Sequence, residues 1–280
     1  MDFYTNNNVI FLTGATGFTG KALLEMILRS LPQVKKIYLL VRGSGKIMFQ
    51  SRVEDEIYSS RIFETLRALF ASEQEFRCQV LSKVVPVQGD LTLKNLGLSE
   101  CDLKMVQSDT NVVISCAADT NWERSLKEAV NSNCHGPLRM VKIAQGMPHL
   151  AALVHISTAY VNLNMNGQFT KEQLYPFPLG DAEDVFDKIE KMSEKELSSY
   201  EHDVVLRAFP NTYFVCKSLT EHLLQSRCKH WNLPIAIVRP SAITGALLEP
   251  VPGWVEGMTG PAACSVLCGR GIIQEWIGNS

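Results

Sequence analysis

A doubly wound parallel α/β sheet is the fold class this sequence predicts, and three observations predict it. Six short apolar runs, at 9–12, 37–41, 84–88, 111–118, 153–156 and 235–238, alternate with longer stretches of helical period. The first run passes directly into Gly14-Ala15-Thr16-Gly17-Phe18-Thr19-Gly20 and then a helical stripe, the succession of buried strand, tight turn and helix start. The fourth, fifth and sixth runs end in Ala117-Ala118, Ser157-Thr158 and Arg239-Pro240. Ligands gather outside the carboxyl ends of such strands, so these residues belong to the same crevice as the glycine turn.

The elements follow in chain order. Val9 to Leu12 is continuously apolar, as a strand covered on both faces must be, and Ala22, Leu23, Met26, Ile27 and Leu31 form the stripe of the first helix. Gly14 permits the sharp turn, Gly17 lets the backbone approach a pyrophosphate, and Gly20 lets the helix pack close to the strand. Thr13, Thr16 and Phe18 join them as candidate cofactor contacts. The G-x-x-G-x-x-G spacing departs from the usual G-x-G-x-x-G and resembles the extended branch of the short-chain dehydrogenase/reductase superfamily.

The second strand, 37–41, ends at Arg42. NAD-preferring folds place Asp or Glu about 20 residues past the glycines, on the ribose hydroxyls. No acid stands between Tyr38 and Lys46, and Arg42 and Lys46 can receive a 2′-phosphate, so the expected cofactor is NADPH. Residues 47–76 read as one or two outer helices, and 84–88 as a third strand, demoted slightly by Pro86. Asp90 and Leu91 follow at the adenine end, where Asp90 either bonds the adenine amino group or closes its own turn. Ala117 and Ala118 are small enough to lie under a ribose.

An amphipathic stretch over 125–145, broken near Gly136-Pro137, leads to the fifth strand. An insertion at 163–209, proline-rich and then charged, reads as a surface flap beside the site. Tyr213 and Lys217 then share one helical face, and Arg239 and Pro240 close the sixth strand as further cofactor candidates. Beyond Pro250 no long periodic element is expected. The expected organisation is a nucleotide-binding domain over 1–245 and a partial substrate-side extension over 246–280.

Reducing a carbonyl requires a proton for its oxygen and a group to hold the growing negative charge. Tyr213 fits as donor; its phenol has an ordinary pKa of ~10, which the Lys217 ammonium is expected to lower. Lys217 also reaches a nicotinamide ribose, and Thr158, with Ser157 as the alternative, offers a second bond to the substrate oxygen. His155, His222 and His230 read as structural.

Bulk properties narrow the classes. The chain of 280 residues is 46% hydrophobic and 20% charged, an ordinary globular balance, and its formal net charge of −2 makes no case for nucleic acid as a partner. Eight cysteines without a C-x-x-C pair point to reduced thiols and to no metal centre. Neither a leader nor an 18-residue apolar run is visible, so a cytosol-facing protein is expected.

Six ordered segments carry a more specific resemblance. They are Thr13 to Lys21, Tyr38 to Arg42, Val87 to Leu91, His155 to Asn162, the Tyr213/Lys217 pair, and Val238 to Ser241, with Pro252-Gly253-Trp254 in the tail. Together they resemble the NADPH-binding domain of eukaryotic alcohol-forming fatty acyl-CoA reductases. Thr19, and the continuation Asp119-Thr120-Asn121-Trp122 after the paired alanines, depart from that family's usual pattern. The resemblance implies reduction of a long-chain acyl-CoA thioester through an aldehyde to a fatty alcohol, using two NADPH. It also implies a peroxisomal or endoplasmic reticulum address, with membrane association through a C-terminal region beyond these residues. NADPH binding with weak or absent acyl-CoA reduction is therefore expected of the 280 residues alone. The rival readings are a sugar-nucleotide epimerase or dehydratase of the same fold, which requires an acid after the second strand, and a non-catalytic NADP-binding fragment.

Overall fold

The computed structural model describes residues 2–43, 45–165, 168–257 and 260–275. Ser44 and parts of the expected insertion and tail extension (166–167, 258–259 and 276–280) lie outside them. Six strands, β1 (Val9–Thr13), β2 (Lys36–Val41), β3 (Val84–Gln88), β4 (Val112–Ser115), β5 (Ala152–Ile156) and β6 (Ile235–Val238), form one parallel sheet in the order β3-β2-β1-β4-β5-β6. The chain runs outward from β1 in one direction and from β4 in the other, so a crevice opens where the order reverses. The register pairs Thr13 with Ser115, Ser115 with His155 and Ile156 with Val238, which brings the carboxyl ends of four strands level beside it. Pro86 sits in edge strand β3, where a missing N–H is tolerated.

The fourth strand stops at Ser115, short of the expected 118. The N–H groups of Cys116 and Ala117 donate to the Thr13 hydroxyl, both at 3.1 Å, and the backbone leaves the ladder there.

Both faces of the sheet are covered except at edge strand β6, where Ala236 and Val238 are exposed. On one, Ile10, Leu12, Ile37 and Leu39 pack against Leu24 and Ile27 of α1 (Phe18–Ser30) and against Phe63 and Phe76. On the other, Phe11, Val113 and Leu153 meet helix α2 (Glu100–Asp109) through Val106, a helical run α3 over 126–144 through Met140 and Val141, and later helices. Strand alternation sends neighbouring residues such as Ile10 and Phe11 to opposite cores.

Four expectations are corrected. First, α3 is continuous across Gly136-Pro137, because Asn131–His135 widens into a π-turn just before a residue that lacks an N–H. Second, the segment 47–76, expected as one or two outer helices, holds one continuous helical run over 46–58, Lys46–Ser51 passing directly into a π-turn at Arg52–Tyr58, and then breaks into the short turns Arg61–Phe63, Glu64–Arg67 and Glu73–Gln79. Ser60 and Ser72 each accept a backbone N–H and restart it.

Third, the stretch expected as a flap is structural. Helix α4 (Ala182–Lys191) buries Val185, Phe186 and Ile189 in the same core as α5 (Thr212–His230), together with Leu197, Val205 and Phe209. Arg227 pairs with Glu183 at 2.9 Å, and Glu201 accepts the Leu126 N–H at 2.7 Å. The polar residues of α4 are its solvent side, and its apolar stripe faces inward. Fourth, the tail, expected to hold no long periodic element beyond Pro250, carries a helix. Residues 246–256 return over α1, with Trp254 buried to 8% exposure, and Gly260–Gly269 forms helix α6. That helix buries none of its side chains, and its small and apolar residues run all round it without the period that marks an amphipathic helix.

Among the described residues no helix is long and apolar enough to cross a membrane. No group of His, Cys, Asp or Glu among them could hold a metal ion.

Candidate cofactor and active site

The glycine turn joins β1 to α1, and each glycine meets a different demand. Gly14 has φ 81°, and a Cβ there would stand 2.8 Å from the Ala117 nitrogen. A Cβ on Gly20 would lie 2.0 Å from the Gly14 carbonyl oxygen. Gly17 is different: a Cβ would meet only that oxygen, at 3.3 Å, so the fold itself leaves its outer side open. Gly17 is also the N-cap of α1, without a side-chain cap and with no acid in the first turn. Helix N-terminal donors free of a capping carboxylate, on a loop with room for an approaching group, fit the pyrophosphate of a dinucleotide.

Other candidates in this loop are engaged within the protein. The Thr13 hydroxyl is buried and holds Cys116 and Ala117, so it places the end of β4 and does not face a ligand. Phe18 stacks on Trp254 with centroids 4.9 Å apart. Thr16, Ala117 and Ala118 are half-buried around the turn. A feature invisible in the sequence lies one turn further on. Lys21, Glu25 and Arg29 share one side of α1 and lie beneath the tail, Lys21 paired with Glu256 and Arg29 with Glu25 and Glu249. Ser60 donates to the same Glu256 carboxylate.

At the adenosine side, Arg42 and Lys46 are exposed at the end of β2 and the start of the next helix. Arg52 donates to the Arg42 carbonyl at 2.7 Å and is itself forked onto Glu56 at 2.7 and 2.9 Å, which fixes the backbone that carries Arg42. One Asp90 oxygen accepts from the Thr92 N–H and hydroxyl, both at 2.8 Å, so the turn-closing alternative describes that oxygen. Leu91 is half-buried, and its carbonyl accepts from Arg139 at 2.8 Å.

The ends of β5, β6 and α5 assemble the second half. Asn211 caps α5 by accepting the Phe214 N–H, which starts the helix so that Tyr213 and Lys217 lie over the end of β5. Lys217 is 2% exposed, its ammonium donates to the Ile156 carbonyl at 2.8 Å, and it stands 6.0 Å from the Tyr213 ring centre. Burial pulls Lys217 down to about 8 from the usual lysine range. Tyr213 moves oppositely to the expectation: burial, then Cys116, pushes its phenol up. The Lys217 ammonium is directed at the Ile156 carbonyl, and loss of water around the phenol favours its protonated form.

Ser157 is buried, its N–H donates to the Val238 carbonyl at 2.7 Å, and its hydroxyl has no partner within the described structure. The Thr158 hydroxyl accepts the Tyr160 N–H at 3.3 Å. Arg239, expected at the cofactor, is instead forked onto buried Glu221 of α5 at 2.6, 2.9 and 3.2 Å, with a further bond to the Gln173 carbonyl at 3.0 Å. A buried carboxylate demands a cation, and Arg239 supplies it. Pro240 accepts the Ala159 N–H at 2.8 Å and so extends the β5–β6 pairing. His155 is fully buried, and burial followed by the Lys217 charge pushes its imidazole well below the usual range.

Comparison with known proteins follows from this geometry. A family model for an NAD-binding domain, described as "Male sterility protein", matches residues 12–280. The chain is similar to the putative fatty acyl-CoA reductase CG8306 of Drosophila melanogaster, 37% identical over 274 residues that cover 98% of this chain and 50% of that protein. Fatty acyl-CoA reductase 1 of Mus musculus is 36% identical over 273 residues, again 98% of this chain and 50% of the relative. The chain thus spans about half the length of the curated relatives it matches. Among solved structures, the terminal R domain from the myxalamid PKS-NRPS pathway superimposes with a TM-score of 0.58 at 22% identity, covering 86% of this chain and 50% of that one. The R domain of a Mycobacterium tuberculosis non-ribosomal peptide synthetase gives 0.60 at 22% identity, covering 86% and 49%. These two share the fold of this chain.

Proposed function

This chain belongs to the Male sterility protein family, and on that premise we propose that it forms the NADPH site and the proton-donating machinery of a fatty acyl-CoA reductase. The observation that carries the reading is the meeting of two half-sites at one crevice: the uncapped glycine turn of α1, and Tyr213 with Lys217 over the end of β5. Gly14, Gly17 and the first turn of α1 hold the pyrophosphate, Arg42 and Lys46 meet the 2′-phosphate, and Ala117 and Ala118 lie beneath the nicotinamide ribose. The bound nicotinamide supplies the hydride. Tyr213 gives its phenolic proton to the carbonyl oxygen, and Thr158 or Ser157 donates a second hydrogen bond to that oxygen. The hemithioacetal then loses CoA as the C–S bond breaks, and the same residues serve the aldehyde in a second round. Lys217, whose proton is loosely held, restores the Tyr213 proton between rounds.

NADPH binding by calorimetry, and its oxidation in the presence of palmitoyl-CoA followed at 340 nm, test this directly. Tyr213→Phe is expected to abolish turnover while NADPH affinity stays within about 2-fold, since only a proton donor is lost. A measurable rate in the unchanged chain that Tyr213→Phe leaves unaltered, or absence of NADPH binding, would overturn the proposal.

A further inference from the structure

The loop after β4 is tightly fixed yet holds a large apolar side chain out in solvent. Asp119 and Asn133 exchange two hydrogen bonds of 2.9 Å, and Asp119 also accepts from the Asn121 N–H at 3.0 Å and from Arg124 at 2.9 Å. Asn121 accepts the Glu123 N–H at 3.0 Å, and Thr212 at the start of α5 donates to the Arg124 carbonyl at 2.7 Å. Trp122, at the centre of this scaffold, is 60% exposed. A loop restrained at four of its positions has little freedom to bury the indole by moving, so the exposure is built in.

Two further aromatic residues stand with it. The Trp122 ring rests 5.9 Å from that of Phe214, and Tyr160, 36% exposed, lies 5.9 Å from the same ring. Phe214 is in turn 5.4 Å from Tyr213. Three separate elements, the loop after β4, the turn Ala159–Met165 after β5 and the first turn of α5, therefore deliver aromatic rings to one surface that abuts the Tyr213 phenol. Clustering of exposed aromatics beside a site distinguishes this surface from apolar residues scattered singly.

We propose that Trp122 and Tyr160, seated on the buried ring of Phe214, form the platform on which the alkyl chain of the thioester lies next to its carbonyl carbon, and that Trp122 sets the preference for chain length. This rests on the acyl-CoA reading of Tyr213 given above. An apolar aromatic surface suits methylene groups and does not suit the phosphates of CoA.

The test measures binding of CoA, acetyl-CoA, octanoyl-CoA and palmitoyl-CoA in the presence of NADP+ by calorimetry, for the unchanged chain, Trp122→Ala and Tyr160→Ala. Affinity of the unchanged chain should rise with acyl length. In Trp122→Ala the gain between acetyl and octanoyl should shrink by about ten-fold, equivalent to about 1.4 kcal/mol, while the further gain to palmitoyl, CoA itself and NADPH binding stay as before. Tyr160→Ala should act in the same direction to a smaller extent. A length dependence preserved in both variants, or equal weakening of CoA and every acyl-CoA, overturns the platform while leaving the reductase reading in place. An unchanged chain that binds NADPH but no acyl-CoA of any length overturns the acyl-CoA reading and the platform with it.

Discussion

Replacing Gly20 by Ala should break the cofactor cradle from behind. The added Cβ would lie 2.0 Å from the Gly14 oxygen, 2.5 Å from its carbonyl carbon and 2.9 Å from the Ala15 nitrogen. All three are backbone atoms, so no rotamer change relieves the clash. Reaching ordinary contact at 3.4 Å requires 3.4 − 2.0 = 1.4 Å of separation between α1 and its own turn. The turn cannot retreat, because Gly14 at φ 81° already sits against Ala117. Helix α1 is blocked too, with Leu24 and Ile27 in the core beneath it. Overpacking of this kind costs about 3 kcal/mol, or roughly 6–10 °C in Tm for a domain of this size. Displacing the N–H donors by about an ångström should weaken NADPH by roughly 100-fold, the scale on which misplaced groups lose their interactions. Gly17→Ala is the matched control, since its Cβ meets one atom at 3.3 Å. Its Tm should fall by at most about 3 °C, from a helix-cap change of ~1 kcal/mol, yet NADPH binding should be lost, because the methyl group fills the approach to the pyrophosphate. Differential scanning fluorimetry and calorimetric titration separate the two effects. A Gly20→Ala protein with unchanged Tm and affinity would refute the close-packing argument, and a Gly17→Ala protein that binds NADPH normally would refute the cradle.

Arg42→Asp should reverse or erase the preference for NADPH over NADH, because a carboxylate would then face the 2′-phosphate; equal dissociation constants for the two cofactors in the unchanged chain would remove Arg42 and Lys46 from that role. Lys217 makes stability depend on pH with a definite sign. Its folded pKa of about 8 lies below the usual 10.5, so between these values the unfolded chain carries the proton that the folded chain has released. Stability therefore rises with pH across that window, and below pH 8 the buried ammonium costs about 3 kcal/mol, from 2.5 units at 1.36 kcal/mol each. Cys116, raised to about 11 by burial, and Tyr213, also raised, titrate with the opposite sign at alkaline pH. The difference in Tm between the unchanged chain and Lys217→Met isolates the lysine. It should shift in favour of the unchanged chain between pH 7.5 and 10, and a constant difference would show that Lys217 is not depressed.

Much of the site is legible in the sequence because its determinants are local. A run such as Val9 to Leu12 buries on both faces wherever it is placed, the strain at Gly14 belongs to one residue, and Tyr213 and Lys217 share a face through helical spacing alone. These features fix the order of strands and helices, and with right-handed crossovers between parallel strands they fix the crevice. What the sequence leaves open depends on partners far along the chain. Lys21, Glu25 and Arg29 look like a solvated helix face until the tail, 235 residues beyond Lys21, brings Glu256 over them. Arg239 reads as a cofactor cation until α5 sets the buried Glu221 carboxylate beside it, and the insertion reads as a flap until α4 turns its apolar stripe onto α5. The direction of the Tyr213 shift could not be read from a four-residue spacing, because desolvation is a property of everything packed around the phenol. Periodicity and backbone preference act within a few residues and are written into the sequence; burial and charge pairing are sums over the whole fold, and only the tertiary structure decided them.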